Sequence, residues 1–313
     1  MCLKYLTEVI IPLIRNPLHP QLKFWGQSKG SKYADKNCQY DLPLYSDPKA
    51  CFIDCLYTDQ IWRKQPMTNI ADTVWRAMQT GEYANELEPL DIAAGQQLQL
   101  EMLSRWQHAG EQLGGFKIGL TSGQARNSMG DGVRPFGFIL QSRILQSGGA
   151  VEHSLIGKMG VENELVFNIC ADIKADNVTP EVARSVVDGV APGFEINQPR
   201  LQGTHSNGVR IADNLTQWGI VVGNFVHPDQ NYDDLNVVLS NDDGVLQQVA
   251  AATHIDNHFA SIAALINGLY QYNMGLTKGM KVITGSYTRQ SVKAAGRFIG
   301  DFGSIGSVEL EVK

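Results

Sequence analysis

Two glutamates separated by a single residue lie in a stretch of chain that otherwise has the composition of a buried strand. Glu162 and Glu164 belong to the run GVENELVFNICADI, among valine, leucine, phenylalanine and isoleucine. Successive side chains of a strand point to opposite faces, so the pattern predicts that both carboxylates share one face. Unpaired carboxylates on a partly buried face repel each other and lose hydration. We therefore expect a positive group between them.

A third acid, Glu195, lies in a second strand-like run, VAPGFEINQPR. Three carboxylates that converge from two strands suit a hard divalent cation such as Mg²⁺, which takes oxygen ligands and keeps positions for water and substrate. In the alternative, the three glutamates point to solvent and pair with lysine or arginine. Most strand carboxylates are solvated or paired, so spacing alone favours that alternative.

A glycine-flanked lysine is the next candidate for chemistry. Lys117 lies in GGFKIGLTSGQARNSMG, where Phe116 and Ile118 point to the face opposite to the lysine. Lys117 could face a cavity and steer an anion or a proton, and helix amides after Thr121 could bind a carboxylate. A solvent-facing lysine and an ordinary helix cap at Ser122 are the commoner outcome for such a pattern.

Short strands with few long helices must position these residues. The pattern predicts strands at 115–120, 136–140, 161–170, 190–197, 218–226, 234–240, 280–284 and 306–312. It predicts helices that begin at Asn69 and end near Gly81, and at 90–113, 122–130, 180–188 and 256–273. This alternation indicates an α+β fold with a mixed sheet and not a doubly wound one.

The first 66 residues differ from the rest of the chain. They are rich in proline, lysine, tyrosine and cysteine and lack sustained periodicity, as in GQSKGSKYADKNCQYDLP. We interpret residues 1–66 as an N-terminal extension of unknown role, which packs on the main body or on a partner subunit. Residues 67–313 are predicted to form the catalytic domain.

Composition narrows the class of protein. With 313 residues, 43% hydrophobic and 19% charged, the chain is typical of a globular protein. Its formal net charge of −6 argues against a nucleic-acid partner, which requires a basic face. No apolar run reaches membrane-spanning length. Five cysteines without zinc-ligand spacing indicate free thiols, and we predict a cytoplasmic protein.

A series of short motifs gives the chain a family resemblance. In order, GFKIGLTS, MGDGVRPFGFIL, VENELVF, GFEINQPRL and IADNLTQWGIVVGN resemble the 2-keto-4-pentenoate hydratase group of the fumarylacetoacetate hydrolase superfamily. The resemblance runs from about residue 69 to the C-terminus. It implies a mixed β-sheet roll or sandwich with flanking helices, a homo-oligomer, and a small 2-oxo acid as substrate.

The resemblance also implies roles for individual residues. Its acid-x-acid strand and later glutamate, which hold Mg²⁺ or Mn²⁺ in the family, correspond to Glu162, Glu164 and Glu195. The family lysine beside the substrate corresponds to Lys117. The family hydroxyl corresponds to Thr216, a threonine where serine is more usual. With the resemblance, the metal site becomes the preferred interpretation of the three glutamates.

Two departures from the family pattern bear on the reaction. Pro135 stands where an acidic residue usually precedes Phe-Gly, and proline cannot transfer a proton. Its neighbour Arg134 adds a cation that could anchor a second substrate carboxylate. After Glu195 the chain reads Asn197-Gln198-Pro199-Arg200, where the family commonly has aspartate before Ser-Arg. Both changes leave the predicted metal ligands intact and put the hydration step in question.

Three functions therefore stay open. The first is a metal-dependent hydratase of a 2-oxo or 2-hydroxydienoic acid, in which the ion stabilises an enolate, Lys117 and Thr216 are catalytic, and Ser122 and Arg134 bind substrate. The second is a decarboxylase of a 4-oxalocrotonate-like diacid, which Arg134 favours. The third is a non-catalytic partner subunit that has lost activity, which Pro135 favours.

Other polar residues have simpler interpretations. His258 opens an apolar helical run and is predicted to cap or pack that helix, not to bind a ligand. Ser286 and Tyr287 follow a strand and are weaker candidates for the pocket wall. The segment GSIGS at 303–307 is predicted to form a hairpin and not a phosphate loop, since no helix with a following lysine is present.

Overall fold

The computed structural model of the chain describes residues 70–84 and 87–313. The predicted N-terminal extension, 1–66, lies outside the described residues, so its role and the domain boundary stay predictions. Four of the five cysteines also lie there, and Cys170, within the described part, is a free thiol. Among the described helices, none combines the length and the apolar character that crossing a membrane would require.

The described part is built of short strands and six α-helices. The helices are α1 (Ile70–Thr80), α2 (Ile92–His108), α3 (His153–Ile156), α4 (Pro180–Ser185), α5 (Asn207–Ala212) and α6 (His258–Tyr270). The strands are β1 (Leu113–Ile118), β2 (Phe136–Leu140), β3 (Ile144–Gln146), β4 (Gly149–Val151), β5 (Gly160–Ile169), β6 (Val187–Asn197), β7 (Gln217–Val222), β8 (Asn236–Asn241), β9 (Gly244–Ala250), β10 (Lys281–Ser286), β11 (Gln290–Ser291), β12 (Gly296–Asp301) and β13 (Ser307–Val312).

These strands form two sheets. The larger sheet has the order β2-β1-β10-β5-β6-β7-β3, with β11 added beside β5, and the smaller has the order β4-β13-β12-β8-β9. Both are mixed, because β1 pairs with β10, β3 with β7 and β4 with β13 in parallel, while the other pairs are antiparallel. The predicted α+β class with a mixed sheet is confirmed.

The core lies where the two sheets meet and where helices cover them. Strands β12 and β13 pack on β6, and α6 packs on β1 and β10. Phe116, Phe167, Phe194 and Leu310 are fully buried there. Burial of so many large apolar side chains supplies the main stabilisation of the fold, at roughly 1.5–3 kcal/mol for each one fully buried. The central strands β5 and β6 are therefore buried on both faces.

The structure corrects several predicted element bounds. The predicted helix at 122–130 is a single turn at Gly123–Ala125, because Gly123 and Asn127 adopt left-handed φ values of 49° and 61°. The helix predicted for 90–113 ends at His108, just before Gly110 at φ 97°. The helix predicted for 180–188 ends at Ser185, since β6 begins at Val187.

Five strands were not predicted from the sequence: β3, β4, β9, β11 and β12. They are two to seven residues long, and glycines interrupt the GRFIGD of β12. Strand β9 is largely exposed at a sheet edge, so its sequence carries no buried alternation. The hairpin predicted at GSIGS is present, because the turn Gly303–Ile305 joins β12 to its antiparallel partner β13.

Candidate active site

Three glutamates converge at the centre of the larger sheet. Glu162 of β5 lies directly opposite Glu195 of β6 in the ladder, and Glu164 follows on the same face two residues along. All three are buried, and each offers one carboxylate oxygen within 4.8 Å of the others. Strand pairing thus brings together the three acids that the i, i+2 pattern and the second strand predicted.

Burial and mutual repulsion disfavour ionisation of this cluster. Loss of hydration raises the pKa of Glu164 well above its ordinary value, and the neighbouring Glu195 charge raises it further. The pKa of Glu162 is raised for the same two reasons, although Arg289 and Lys117 oppose the shift. Buried carboxylates in this state call for a compensating cation, and an all-oxygen donor set is the one that Mg²⁺ and Mn²⁺ prefer.

The positive groups beside the cluster come from two other segments. The ammonium group of Lys117, on β1, donates a hydrogen bond to Glu195 Oε1 and lies 3.5 Å from the carbonyl oxygen of Leu215. Arg289 follows β10, and its Nε lies 3.2 Å from Glu162 Oε1 while its side chain stays 67% exposed. These two cations contact only two of the three carboxylates, so the cluster keeps a surplus of negative charge that suits a divalent ion.

The end of β10 supplies a backbone donor in place of a third cation. The amide N–H of Gly285 donates to Glu164 Oε2 over 2.8 Å. Gly285 has φ 132°, and a Cβ there would lie 2.1 Å from Thr121 Oγ1. A glycine is therefore required for the strand to turn this amide towards the carboxylate.

We call residues 198–216, which include α5, the loop wall. Three successive residues of this wall, Asn214, Leu215 and Thr216, have left-handed φ values of 55°, 51° and 65°. Such backbone is costly for residues other than glycine and persists only where neighbours hold it. The Asn214 amide does so by bonding both the N–H and the carbonyl of Phe138 in β2.

A buried ion pair supports the same wall. Arg200 and Asp213 are each 1% exposed and are joined from Nε to Oδ1 over 2.7 Å. Arg200 also donates to the carbonyl oxygens of Asp213 and Gln217, which flank the left-handed residues. Desolvation raises the pKa of Asp213, and the arginine opposes that rise. The pair thus connects both ends of the strained segment.

The loop wall brings Thr216 to Asn197, the last residue of β6. Thr216 Oγ1 donates to Asn197 Oδ1 over 2.8 Å, which orients the amide. Asn197 is 2% exposed, and its Nδ2 has no hydrogen-bond partner among the described residues. Both side chains line the same cavity as the glutamates. Nδ2 of Asn197 is therefore a buried donor available to a bound molecule.

The strands and the loop wall enclose a cavity of about 180 Å³. Its polar lining includes the three glutamates together with Lys117, Ser122, Asn197, Arg210, Thr216, Ser286 and Arg289. Its apolar lining comes from Ile118, Leu120, Ala125, Leu201 and Leu215. The arrangement can hold a small acid with its polar end at the glutamates and carbon atoms against the apolar side chains.

One predicted substrate-binding residue is placed elsewhere. Arg134 is not among the residues that line the cavity. Its Nη2 lies 2.7 Å from Asp256 Oδ2, and its Nη1 donates to Asn127 Oδ1 over 2.7 Å. Pro135 is also absent from the lining, and its carbonyl accepts from Gly119 N–H over 2.8 Å. The structure thus separates this segment from the predicted site residues that it brings together.

Sequence analysis missed Asn197, Arg210 and Arg289 as cavity residues. The signal for Asn197 was available, because it follows Glu195 by two residues on one strand. Arg210 lies in the short helix α5, which was not predicted, and Arg289 lies beyond the end of β10, where spacing gives no direction. His258 is buried and hydrogen-bonds to Thr284 Oγ1 and the Tyr287 hydroxyl, which agrees with a packing role. Of Ser286 and Tyr287, only the serine lines the cavity.

Known proteins similar to this chain act on related small acids. A 2-oxo-hept-4-ene-1,7-dioate hydratase of Escherichia coli is 28% identical over 211 residues, which cover 64% of this chain and 78% of that protein. A 4-oxalocrotonate decarboxylase of Pseudomonas sp. is 24% identical over 226 residues, which cover 71% of this chain and 88% of that protein. No family model matches the chain.

A solved structure shows the same fold. The 4-oxalocrotonate decarboxylase from Pseudomonas putida G7, complexed with magnesium and adipate, has a TM-score of 0.73 and 20% identity, covering 78% of this chain and 96% of its own. This likeness confirms the mixed-sheet fold predicted from the resemblance. Together with the two sequence relatives, it confirms the resemblance to the hydratase and decarboxylase group.

Proposed function

We propose that this chain, a homologue of the 2-keto-4-pentenoate hydratase and decarboxylase group, is a divalent-metal-dependent lyase of a 2-oxo or 2-hydroxydienoic acid. The observation that carries the proposal is the convergence of three buried carboxylates, within 4.8 Å of one another, on a cavity that also holds Lys117. Glu162, Glu164 and Glu195 would hold Mg²⁺ or Mn²⁺. When bound, the ion supplies a Lewis acid for the negative charge that develops on the substrate oxygen.

The residues around the glutamates have separate tasks in this proposal. Lys117, buried beside Glu195, orients the substrate and relays a proton at the enol. Thr216 fixes the Asn197 amide, so that its free Nδ2 donates to a substrate oxygen. Ser122 adds a buried hydroxyl to the cavity lining, where it caps no backbone amide.

The surrounding side chains limit water in the cavity. The apolar residues Leu215 and Leu201 of the loop wall face the strands that carry the charged groups. Exclusion of bulk water strengthens each hydrogen bond and ion pair inside the cavity. For hydration, one water must still reach the conjugated double bond, add its hydroxyl to one carbon and supply a proton to the neighbouring carbon.

Decarboxylation of a diacid is the second candidate. It is supported by the likeness in fold and sequence to 4-oxalocrotonate decarboxylases, while other relatives are named hydratases. In that reaction carbon dioxide leaves from the far end of the vinylogous acid, and the same enolate charge develops at the metal end. Pro135 lies outside the cavity lining, so its lack of an acidic group does not distinguish the two reactions.

The proposal includes several finer expectations. The ion is Mg²⁺ or Mn²⁺, the protein acts in the cytoplasm in the catabolism of aromatic compounds, and it forms a homo-oligomer. The divalent ion is supported by relatives that are complexed with magnesium or calcium. The oligomer and the location are supported by the family resemblance alone.

Metal binding and turnover of the full chain test the proposal. Titration calorimetry should show Mg²⁺ or Mn²⁺ binding to the wild type, and chelation should abolish turnover of dienoic acids. Glu164→Ala should lose both metal binding and turnover while circular dichroism stays unchanged, because it removes a ligand and leaves the backbone ladder of β5 and β6 in place. Release of carbon dioxide would identify decarboxylation.

A surface glutamate gives the matched control. Glu311→Ala, on the exposed side of β13, should keep metal binding and turnover. Full activity of Glu164→Ala in chelator-treated buffer would contradict the metal mechanism. Absence of metal binding by the wild type would instead support a non-catalytic partner subunit.

A further inference from the structure

The guanidinium group of Arg210 lies at the cavity without a partner. Arg134 is engaged by Asp256 and Asn127, and Arg289 is engaged by Glu162. Arg210 is exposed and lines the cavity, yet its side chain has no hydrogen bond or ion pair with any residue of 70–84 and 87–313. Of the arginines that line the cavity in this part of the chain, it is the one whose charge is free to meet an anion.

Arg210 is carried by a helix with a fixed position. Helix α5 packs backbone to backbone on the beginning of α2, where a Cβ on Gly208 would lie 2.0 Å from the carbonyl oxygen of Asp91. Ser206 caps α5 and also exchanges hydrogen bonds with the backbone of Leu90. Because α5 cannot shift without breaking these contacts, the backbone of Arg210 is held in place beside the cavity.

The charge balance of the cavity calls for a substrate with two negative charges. Three carboxylates and three cationic side chains, Lys117, Arg210 and Arg289, line it in the described structure, so their formal charges cancel. A divalent ion at the glutamates then leaves an excess of two positive charges. A monocarboxylic acid neutralises half of this excess, whereas a dicarboxylic acid neutralises all of it.

The apolar lining fits the carbon chain between two acid groups. Leu201 belongs to the segment that leads towards α5, and Leu215 to the segment that follows it. Ile118 is the last residue of β1, the strand that carries Lys117, and Leu120 follows that strand. Methylene or vinyl carbons can lie between these side chains, while a terminal carboxylate extends towards the exposed edge where Arg210 is placed.

We propose that Arg210 is the specificity-determining residue that binds the second carboxylate of a 2-oxo dicarboxylic acid. This inference rests on the proposed function, because it assumes that the 2-oxo acid end of the substrate lies at the glutamates. A guanidinium forms two parallel hydrogen bonds with a carboxylate, and such charge-assisted bonds are stronger than neutral ones. Arg210, and not Arg134, thus takes the anchoring role for a diacid.

Binding of two matched acids to the magnesium-loaded full chain tests this role. The probes are 2-oxoadipate and 2-oxohexanoate, which share six carbons and the 2-oxo acid end and differ in the second carboxylate. Calorimetry should show that the wild type binds 2-oxoadipate about tenfold more tightly, as one solvent-exposed charge-assisted contact implies. Arg210→Leu should remove that preference and leave the affinity for 2-oxohexanoate unchanged, while Arg210→Lys should keep part of it.

Controls separate this inference from the proposed function. Arg76→Leu removes an exposed arginine of α1 that does not line the cavity, and it should keep the full preference for the diacid. Oxalate, which has only the metal-binding end, should bind wild type and Arg210→Leu equally in the presence of Mg²⁺.

Two results would overturn the inference. Equal affinity of the wild type for the two oxo acids would contradict it, and so would a preference that survives in Arg210→Leu. If oxalate shows no magnesium-dependent binding to the wild type, the proposed function fails, and the inference that rests on it fails as well.

Discussion

The two sides of the cavity are built in different ways. On the strand side, ladder hydrogen bonds between β5 and β6 place Glu162 opposite Glu195. The left-handed segment of the loop wall, Asn214–Thr216, has no such ladder and depends on a few side chains, chiefly Arg200, Asp213 and Asn214. Many backbone bonds tolerate the loss of one side chain, whereas a segment held by three side chains does not. Substitutions on the strand side should therefore abolish metal binding and turnover. Substitutions under the loop wall should instead lower the stability of the protein and distort the cavity.

The largest effect is expected from breaking the ion pair under the loop wall. Arg200→Met leaves the Asp213 carboxylate buried without its partner, which should lower the free energy of unfolding by about 3–5 kcal/mol. Chemical denaturation measures this change. The double variant Arg200→Met with Asp213→Leu should recover part of the loss, because it removes the stranded charge. A single variant as stable as the wild type would show that the wall does not depend on the pair.

A smaller effect is expected from the hydroxyl that joins the two sides. Thr216→Val keeps the shape of the side chain but loses the bond to Asn197 Oδ1, so that the amide is no longer oriented. Turnover should fall by about tenfold, which corresponds to the loss of about one hydrogen bond. Thr216→Ser should restore kcat because the hydroxyl returns. Equal kcat in the valine and serine variants would exclude a role for the hydroxyl.

The effect that is smallest at neutral pH concerns a buried histidine behind the strand side. Burial lowers the pKa of His258 to about 3, since its ring is enclosed by Thr284, Tyr287 and Phe167. The unfolded chain binds the proton at an ordinary pKa of about 6.5. Stability from neutral His258 is therefore complete above that value and is lost as the pH falls from about 6.5 towards 3, by at most about 1.4 kcal/mol per pH unit.

Comparison with a variant isolates the contribution of this histidine. Urea unfolding of wild type and His258→Gln between pH 7 and pH 5 should give a steeper loss of stability for the wild type. Other titrating groups, including the glutamates, are common to both proteins and cancel in the difference. Parallel pH profiles would mean that His258 titrates alike in the folded and unfolded chains.

The regular part of the fold could be predicted, and the irregular part could not. Strand β2 begins and ends where its apolar run indicated, and α1 ends within one residue of the predicted Gly81. Strand β2 is buried along its whole length and α1 buries one face, and both kinds of burial leave a pattern in the sequence. The edge strand β9 is largely exposed and so carries no periodic apolar face, and the left-handed segment Asn214–Thr216 is held by partners distant in sequence.

The candidate site likewise has a part that could be predicted from the sequence and a part that could not. By itself the sequence determined that Glu162 and Glu164 share a face and that Glu195 lies on another strand, because side-chain direction in a strand follows from its period of two. Only the tertiary structure decided that β5 and β6 are neighbours, with Glu162 and Glu195 in register. It also decided that Arg134 forms an ion pair with Asp256 and that Arg210 is left free at the cavity. The reason is physical: local geometry sets the direction of a side chain, whereas its neighbours are chosen by packing between segments far apart in the chain.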